Sequence, residues 1–199
     1  MTRHMVDKYG VFNQGKPAEE ILSTICETME EMGIEIIKAL EKDIEGILQL
    51  YKDCSHNMMD NLIDQWDDVY PNKEIFLDDI KRDSLYIAVS DNSEQIVACI
   101  VLNEHQDPEY KEVKWKHDSK KAAVIHRLMV HPKHEGKGIA QSLVIFIEKL
   151  AKENQYGAIR LDVFANNLRA VSFYKKLGYV VTGKVIFRKG QFFCCEKLI

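Results

Sequence analysis

AAVIHRLMVHPKHEGKGIAQ, residues 122–141, changes character halfway along. Its first nine residues, Ala122–Val130, are mostly apolar and read as a β-strand. The run stops at His131-Pro132, turns through charged residues and enters a helix at a Gly-x-Gly-x-Ala sequence. Gly136 and Gly138 let the backbone approach a ligand with no Cβ in the way. The amides that open the helix, at Ile139, Ala140 and Gln141, have no partner inside it and stand at the positive end of its dipole. Such a place binds phosphate. A P-loop would need G-x-x-x-x-G-K-[ST], which is absent, and GKGIAQ lacks the third glycine and the early position of a dinucleotide fold.

Working outward from this loop, the downstream helix spans 138–154, with Ile139, Leu143, Ile147 and Leu150 on one face. A strand at Ile159–Phe164, a helix at Leu168–Leu177 and two strands at about 179–187 and 191–198 close the chain. Upstream, Ser84–Ser90 and Gln95–Leu102 are β-rich and separated by Asp-Asn-Ser-Glu, a hairpin signal. A polar segment, 103–120, joins them to the central strand. Further upstream the pattern predicts a strand at Ile34–Leu40 and a helix capped by Asp43 and carrying Ile44, Ile47, Leu48 and Tyr51. A second helix is predicted from Asn57 to Tyr70, ended by Pro71, and a short third at 73–82. Residues 17–32 repeat apolar side chains at helical spacing, with Pro17 in the first turn and Gly33 as the stop. The expected architecture is an α/β domain over 34–199, a mixed, mostly antiparallel sheet flanked by helices, with an N-terminal helical extension over 1–33.

A chain of 199 residues is long enough for one well-filled core. A net charge of −4 with no long Lys/Arg block gives no footprint for nucleic acid. No apolar run reaches the roughly 20 residues a membrane helix needs, so no membrane partner is expected. The first residues show no apolar core of a secretion signal. Five cysteines at Cys26, Cys54, Cys99, Cys194 and Cys195 form no disulfide or zinc framework, so a reduced, cytoplasmic protein is expected. Cys194 and Cys195 should point to opposite faces of a strand. His131 and His134 are spaced i and i+3 without a third ligand, so no metal site is expected.

The stretch HRLMVHPKHEGKGIAQSLVIFIEKLAKE resembles the central motif of the GNAT superfamily of N-acetyltransferases, [QR]-x-x-G-x-[GA] after a strand of type L-x-V-x-P. Glu135, Gly136, Lys137, Gly138, Ile139 and Ala140 take its six positions. The segment from Asn167 through Ala170, Phe173 and Tyr174 to Gly178-Tyr179 resembles the family's second motif, N-x-x-A-x-x-[FL]-Y-x-x-x-G-[FY]. The resemblance implies acetyl-coenzyme A as co-substrate, held at its pyrophosphate by residues 136–141. It further implies that Leu128, Met129 and Val130 pair through their backbone with the pantetheine arm, which requires the neighbouring strand to splay away. Asn167 would bind the arm near its amides, or serve only as a helix N-cap. Tyr174 maps onto the family's usual proton donor to the departing thiolate, or is a packed aromatic. Glu135 stands where the family has Gln or Arg. It implies weaker coenzyme affinity, with Lys137 offsetting the charge and Lys133 and Arg169 within reach of the phosphates.

Acyl transfer to an amine also needs a base. The resemblance would put a Glu at position 124, where this chain has Val124. Strand alternation points His126 the same way as Val124 and Leu128, which makes His126 one candidate; Glu104, at the end of the preceding strand, is the other. Trp66 and Tyr70 fall where the family builds its acceptor pocket. The function expected is N-acetyl transfer from acetyl-CoA to an amine-bearing small molecule or peptide. The alternative is an acetyl-CoA-binding regulatory or degenerate module without turnover. A homodimer is left open.

Overall fold

A computed structural model describes residues 29–91, 93–117 and 121–199 of the chain. The expected 17–32 helix lies mostly outside them; residues 29–31 are helical, and Gly33 ends them at φ +60°.

Among the described residues seven strands make one sheet: β1 (Ile34–Lys38), β2 (Leu85–Ser90), β3 (Ile96–Asn103), β4 (Ala122–Val130), β5 (Ala158–Phe164), β6 (Val180–Phe187) and β7 (Gly190–Leu198). Their order is β1-β2-β3-β4-β5-β7-β6. Every neighbouring pair is antiparallel except β4 and β5, which are parallel. Between those two, the chain crosses one face through α3 (Ile139–Glu153), as a parallel connection requires. On that face Ile139, Leu143, Val144, Ile147 and Ala151 of α3 pack on Ala123, Ile125, Ile159, Leu161 and Val163. Helix α4 (Leu168–Lys176) adds Tyr174 to the same core.

The opposite face is covered in two parts. Helices α1 (Ile44–Asp60) and α2 (Lys73–Lys81) bury Ile47, Leu50, Phe76 and Ile80 against Leu85, Ile87, Cys99, Val101 and Met129. The 103–120 segment, expected to be simply polar, carries a short 3-10 turn at Pro108–Glu112. Its Tyr110, with Val113, packs on Val124, Phe164, Val185, Phe192 and Cys194. Arg160 and Glu196 fasten this segment from beneath. Their 3.1 Å ion pair is almost wholly buried; Arg160 also donates to Gln106 and the His117 carbonyl, and the His117 N–H donates to Glu196. Cys194 and Cys195 sit in cores on opposite faces, as alternation predicts.

The predicted 57–70 helix does not exist as such. Helix α1 continues to Asp60 and stops there. Leu62 turns left-handed at φ +60°, its N–H reaches the Met59 carbonyl, and the Ile63 N–H reaches Met58. This is a Schellman close, with Leu62 where glycine is usual. Residues 61–72 then form a loop with a bridge between Asp67 and Tyr70. Trp66 and Tyr70 are therefore loop residues, not helical neighbours. Turn-forming Asn and Asp residues outweighed the apolar spacing.

A second correction lies inside β4. Cys99 pairs with Met129 but Val101 pairs with His126, so Ile100 faces two residues, Arg127 and Leu128. This is a β-bulge, with Arg127 at φ +48°. The extra residue inverts the alternation. Ala123 and Ile125 belong to the α3 core, and so do Leu128 and Val130; Met129 joins the α1/α2 core. His126 thus shares a face with Val124 but not with Leu128.

Candidate functional site

β4 and β5 pair only at their beginnings: Ala122 with Ala158, Ala123 with Ile159, Val124 with Arg160. Beyond that point the strands part, and among the described residues no strand lies beside the β5-facing edge of 125–130. Around the gap lies a cavity of about 1820 Å³. It exceeds the roughly 300–1,000 Å³ of a single small-molecule pocket.

At the top of β4 the phosphate-type loop takes the form the glycines dictate. Gly136 stands at φ +73° and Gly138 at φ +88°, and a Cβ built on either would meet nothing within 4 Å. Their need is thus conformational, and the space before them is open. Gly138 is the N-cap of α3, makes no side-chain cap hydrogen bond, and no acidic residue occupies the first turn. The Ser142 N–H closes the first helical bond on Gly138. The cavity lining includes Gly136, Gly138, Ile139, Ala140 and Gln141. Glu135 is ion-paired with Arg169 at the start of α4. Arg169, rather than Lys137, supplies its counter-charge.

Leu128, Met129 and Val130 line the cavity along the unpaired edge. Asn167 caps α4, its Oδ1 accepting the Ala170 N–H at 3.0 Å while its Nδ2 donates to Gln65. Tyr174 lies on the α3 face and lines the cavity beside Phe173. Burial, with the nearby Asp162 carboxylate, pushes its phenol above the ordinary value, so the hydroxyl keeps its proton.

The other face of the gap holds a different set. His126 Nε2 lies 3.1 Å from Asn103 Oδ1 and 3.2 Å from the His105 carbonyl. Two acceptors on one nitrogen mean that Nε2 carries the hydrogen. Burial, reinforced by Arg127, pushes the imidazole down to about 3, so it is neutral. Glu104 accepts the Tyr156 hydroxyl at 2.8 Å, its side chain 59 % exposed. Arg127, turned inward by the bulge, forms a buried 2.7 Å ion pair with Asp79 and donates to the Tyr70 hydroxyl. Trp66 and Tyr70 both line the cavity. Their loop is tied to the β6–β7 turn through Asp67, which binds Arg188 by both carboxylate oxygens, and through Lys189, which reaches Asp64 and Asp67. His131 and His134 stack edge-on at 5.8 Å, with Asp53 3.4 Å from His131. Among the described residues no group of three His, Cys, Asp or Glu is placed to hold a metal.

The sequence reading missed Asp162. It is the one β5 residue not fully buried, and it lines the cavity two positions past the last β4–β5 pair. The Tyr110 hydroxyl donates to its Oδ2 at 2.7 Å. Burial raises its carboxyl to about 6, against the Tyr110 hydrogen bond. The only sequence signal was an aspartate amid the apolar residues of a central strand.

Comparison with known proteins bears on the family and the fold. The acetyltransferase (GNAT) family pattern matches residues 44–179. A streptothricin acetyltransferase of Escherichia coli is 38% identical over 65 residues, which is 33% of this chain and only 37% of that protein. A GNAT-family acetyltransferase from Streptococcus agalactiae superposes with a TM-score of 0.72 at 24% identity, covering 84% of this chain and 96% of that one. The PaiA N-acetyltransferase of Thermoplasma acidophilum, solved in complex with coenzyme A, superposes at 0.65 with 23% identity, covering 84% and 100%.

Proposed function

Because this chain belongs to the acetyltransferase (GNAT) family, we propose that it transfers the acetyl group of acetyl-CoA to a primary amine of a small molecule or peptide. The observation that carries the proposal is the parting of β4 and β5 beneath an uncapped helix start. A thioester-bearing arm can take up the hydrogen bonds that β5 leaves unmade on Leu128–Val130. Its diphosphate then meets the amides from Gly136 to Gln141 and the positive end of α3. Tyr174 lines the gap as a protonated phenol, able to protonate the departing thiolate. Asn167 orients the arm as far as its capping role allows. The crystallised coenzyme complex of the Thermoplasma relative supports the same ligand here. Residues 34–199 form the catalytic unit in this reading, and 1–33 an appendage to it. Free thiols at Cys54, Cys99, Cys194 and Cys195 fit a reducing, cytoplasmic setting. Among the described residues no helix is long and apolar enough to cross a membrane.

One observation favours a second reading, a coenzyme-binding module without turnover: position 124 is a fully buried valine. Calorimetry with acetyl-CoA and a transfer assay on a panel of amines separate the two. Saturable binding with transfer supports the enzyme; binding alone supports the module. In the Tyr174→Phe variant kcat should fall about ten- to a thousandfold while the coenzyme titration is unchanged. An unaltered rate would leave Tyr174 a packing residue.

A further inference from the structure

Neither His126 nor Glu104 has the setting that deprotonation of an ammonium ion calls for. His126 is a half-buried neutral imidazole whose proton affinity is lowered by desolvation, and its Nε2–H is already shared by two acceptors. Glu104 sits just past β3, largely in solvent and engaged by Tyr156. Asp162 differs from both in position. The parting of β4 and β5 begins at Val124–Arg160, and Asp162 is the next β5 residue whose side chain leaves the sheet on the Arg160 side. That is the face of Tyr110, His126 and Arg127, opposite the α3 face that holds Tyr174 and the phosphate-type loop. An amine arriving from this side meets the carboxylate before it reaches the gap.

We propose that Asp162 receives the acceptor's ammonium group and removes its proton. The proposal rests on the acetyl-transfer reading above. One N–H bond of the ammonium breaks, and its proton passes to Asp162 directly or through one water. The freed lone pair forms the C–N bond at the thioester carbonyl. As the adduct collapses the C–S bond breaks, and the thiolate takes the Tyr174 proton. The tyrosinate recovers a proton from the new amide nitrogen, and Asp162 releases its own to solvent. An ammonium and acetyl-CoA become an N-acetylamide, coenzyme A and one proton.

The groups around Asp162 suit this task. Tyr110, from the 103–120 segment, holds Oδ2 and remains a donor because burial and the carboxylate itself keep its phenol protonated. Asp107, just ahead of that turn, repels a negative charge at Asp162, and Arg127 of β4 favours one. Tyr70 of the 61–72 loop, Cys194 and Cys195 of β7 and Tyr174 of α4 also feel its charge, and all four stay protonated. Burial thus leaves a carboxylate that is ionised at neutral pH and basic enough to hold a proton briefly.

The test is the pH dependence of kcat/KM for acetyl transfer to polyamines, amino acids and a lysine peptide, with full-length wild type, Asp162→Asn and Tyr110→Phe. Wild type should give a bell: an acid limb near pH 6 and a basic limb at the amine's own pKa. Asp162→Asn should lower kcat/KM about a hundredfold or more at neutral pH. It should also erase the acid limb, so that the rate climbs with pH as free amine appears. Tyr110→Phe, which removes only a hydroxyl, should move the acid limb to higher pH. Acetyl-CoA affinity by calorimetry should hold within about twofold in both variants, which excludes misfolding. An Asp162→Asn enzyme that keeps its acid limb and its rate overturns the proposal and leaves acetyl transfer standing. A wild type that binds acetyl-CoA but acetylates no amine of the panel removes both, and one that binds no acetyl-CoA removes the family reading of the site itself.

Discussion

His126 shows how far environment can move a side chain from its solution chemistry. It lines the cavity, neutral, donating to Asn103 and His105. Its proton affinity is lowered in the folded chain to about 3, whereas the unfolded chain titrates near 6.5. Between those values the unfolded state binds the extra proton, so stability is intact above pH 6.5 and declines as the pH falls toward 3. Asp162 acts in the opposite sense: its carboxyl is raised to about 6, so its contribution is present at low pH and lost as pH rises through 6. On going from pH 7 to pH 5, urea denaturation should therefore show wild type losing stability relative to His126→Gln. The gap should be on the order of 1–2 kcal/mol at pH 5, and equal slopes would show that His126 is solvated. The loop glycines, Asn167 and Tyr174 could be proposed from the sequence because each belongs to a local motif. Asp162 was not, because its partner Tyr110 is 52 residues away and nothing local announces the pair.

Helix ends dominate at the scale of elements. Helices α1, α2, α3 and α4 all close with the same pair of bonds, seen at Leu62-Ile63, Asp83-Ser84, Gln155-Tyr156 and Gly178-Tyr179. Only the last uses glycine; Leu62, Asp83 and Gln155 adopt φ of +60°, +56° and +61°. A side chain in that region strains the backbone. Leu62→Gly and Gln155→Gly should each stabilise the protein by about 0.5–1 kcal/mol, since both side chains are exposed and the glycine's greater unfolded entropy offsets part of the relief. Thermal melts check this, and a lower Tm would mean the side chains pack after all. The same closes explain the limits of the sequence reading. Strand and helix periods placed β2 to β7, α3 and α4 correctly, because their apolar faces pack on a continuous sheet. The end of α1 was misplaced because a left-handed leucine leaves no compositional mark. The β4 bulge was invisible for the same reason: an arginine at φ +48° looks like any strand residue until Asp79 and Tyr70 are brought to it.

Across the whole molecule, three cores meet at the gap between β4 and β5 without filling it. The α3 core supplies the phosphate-type loop and Tyr174 from one side. The α1/α2 core and the Tyr110 core leave Tyr70, Arg127 and Asp162 on the other. The sheet is thus a wall with a slot through it, and the two sides have unlike chemistry. A wall perforated in this way imposes a traffic pattern. Donor and acceptor can dock from opposite sides at the same time, so neither has to vacate its berth for the other. Double-reciprocal plots at several acetyl-CoA concentrations should accordingly intersect; parallel lines, the mark of an acetylated protein intermediate, would mean that the two berths overlap.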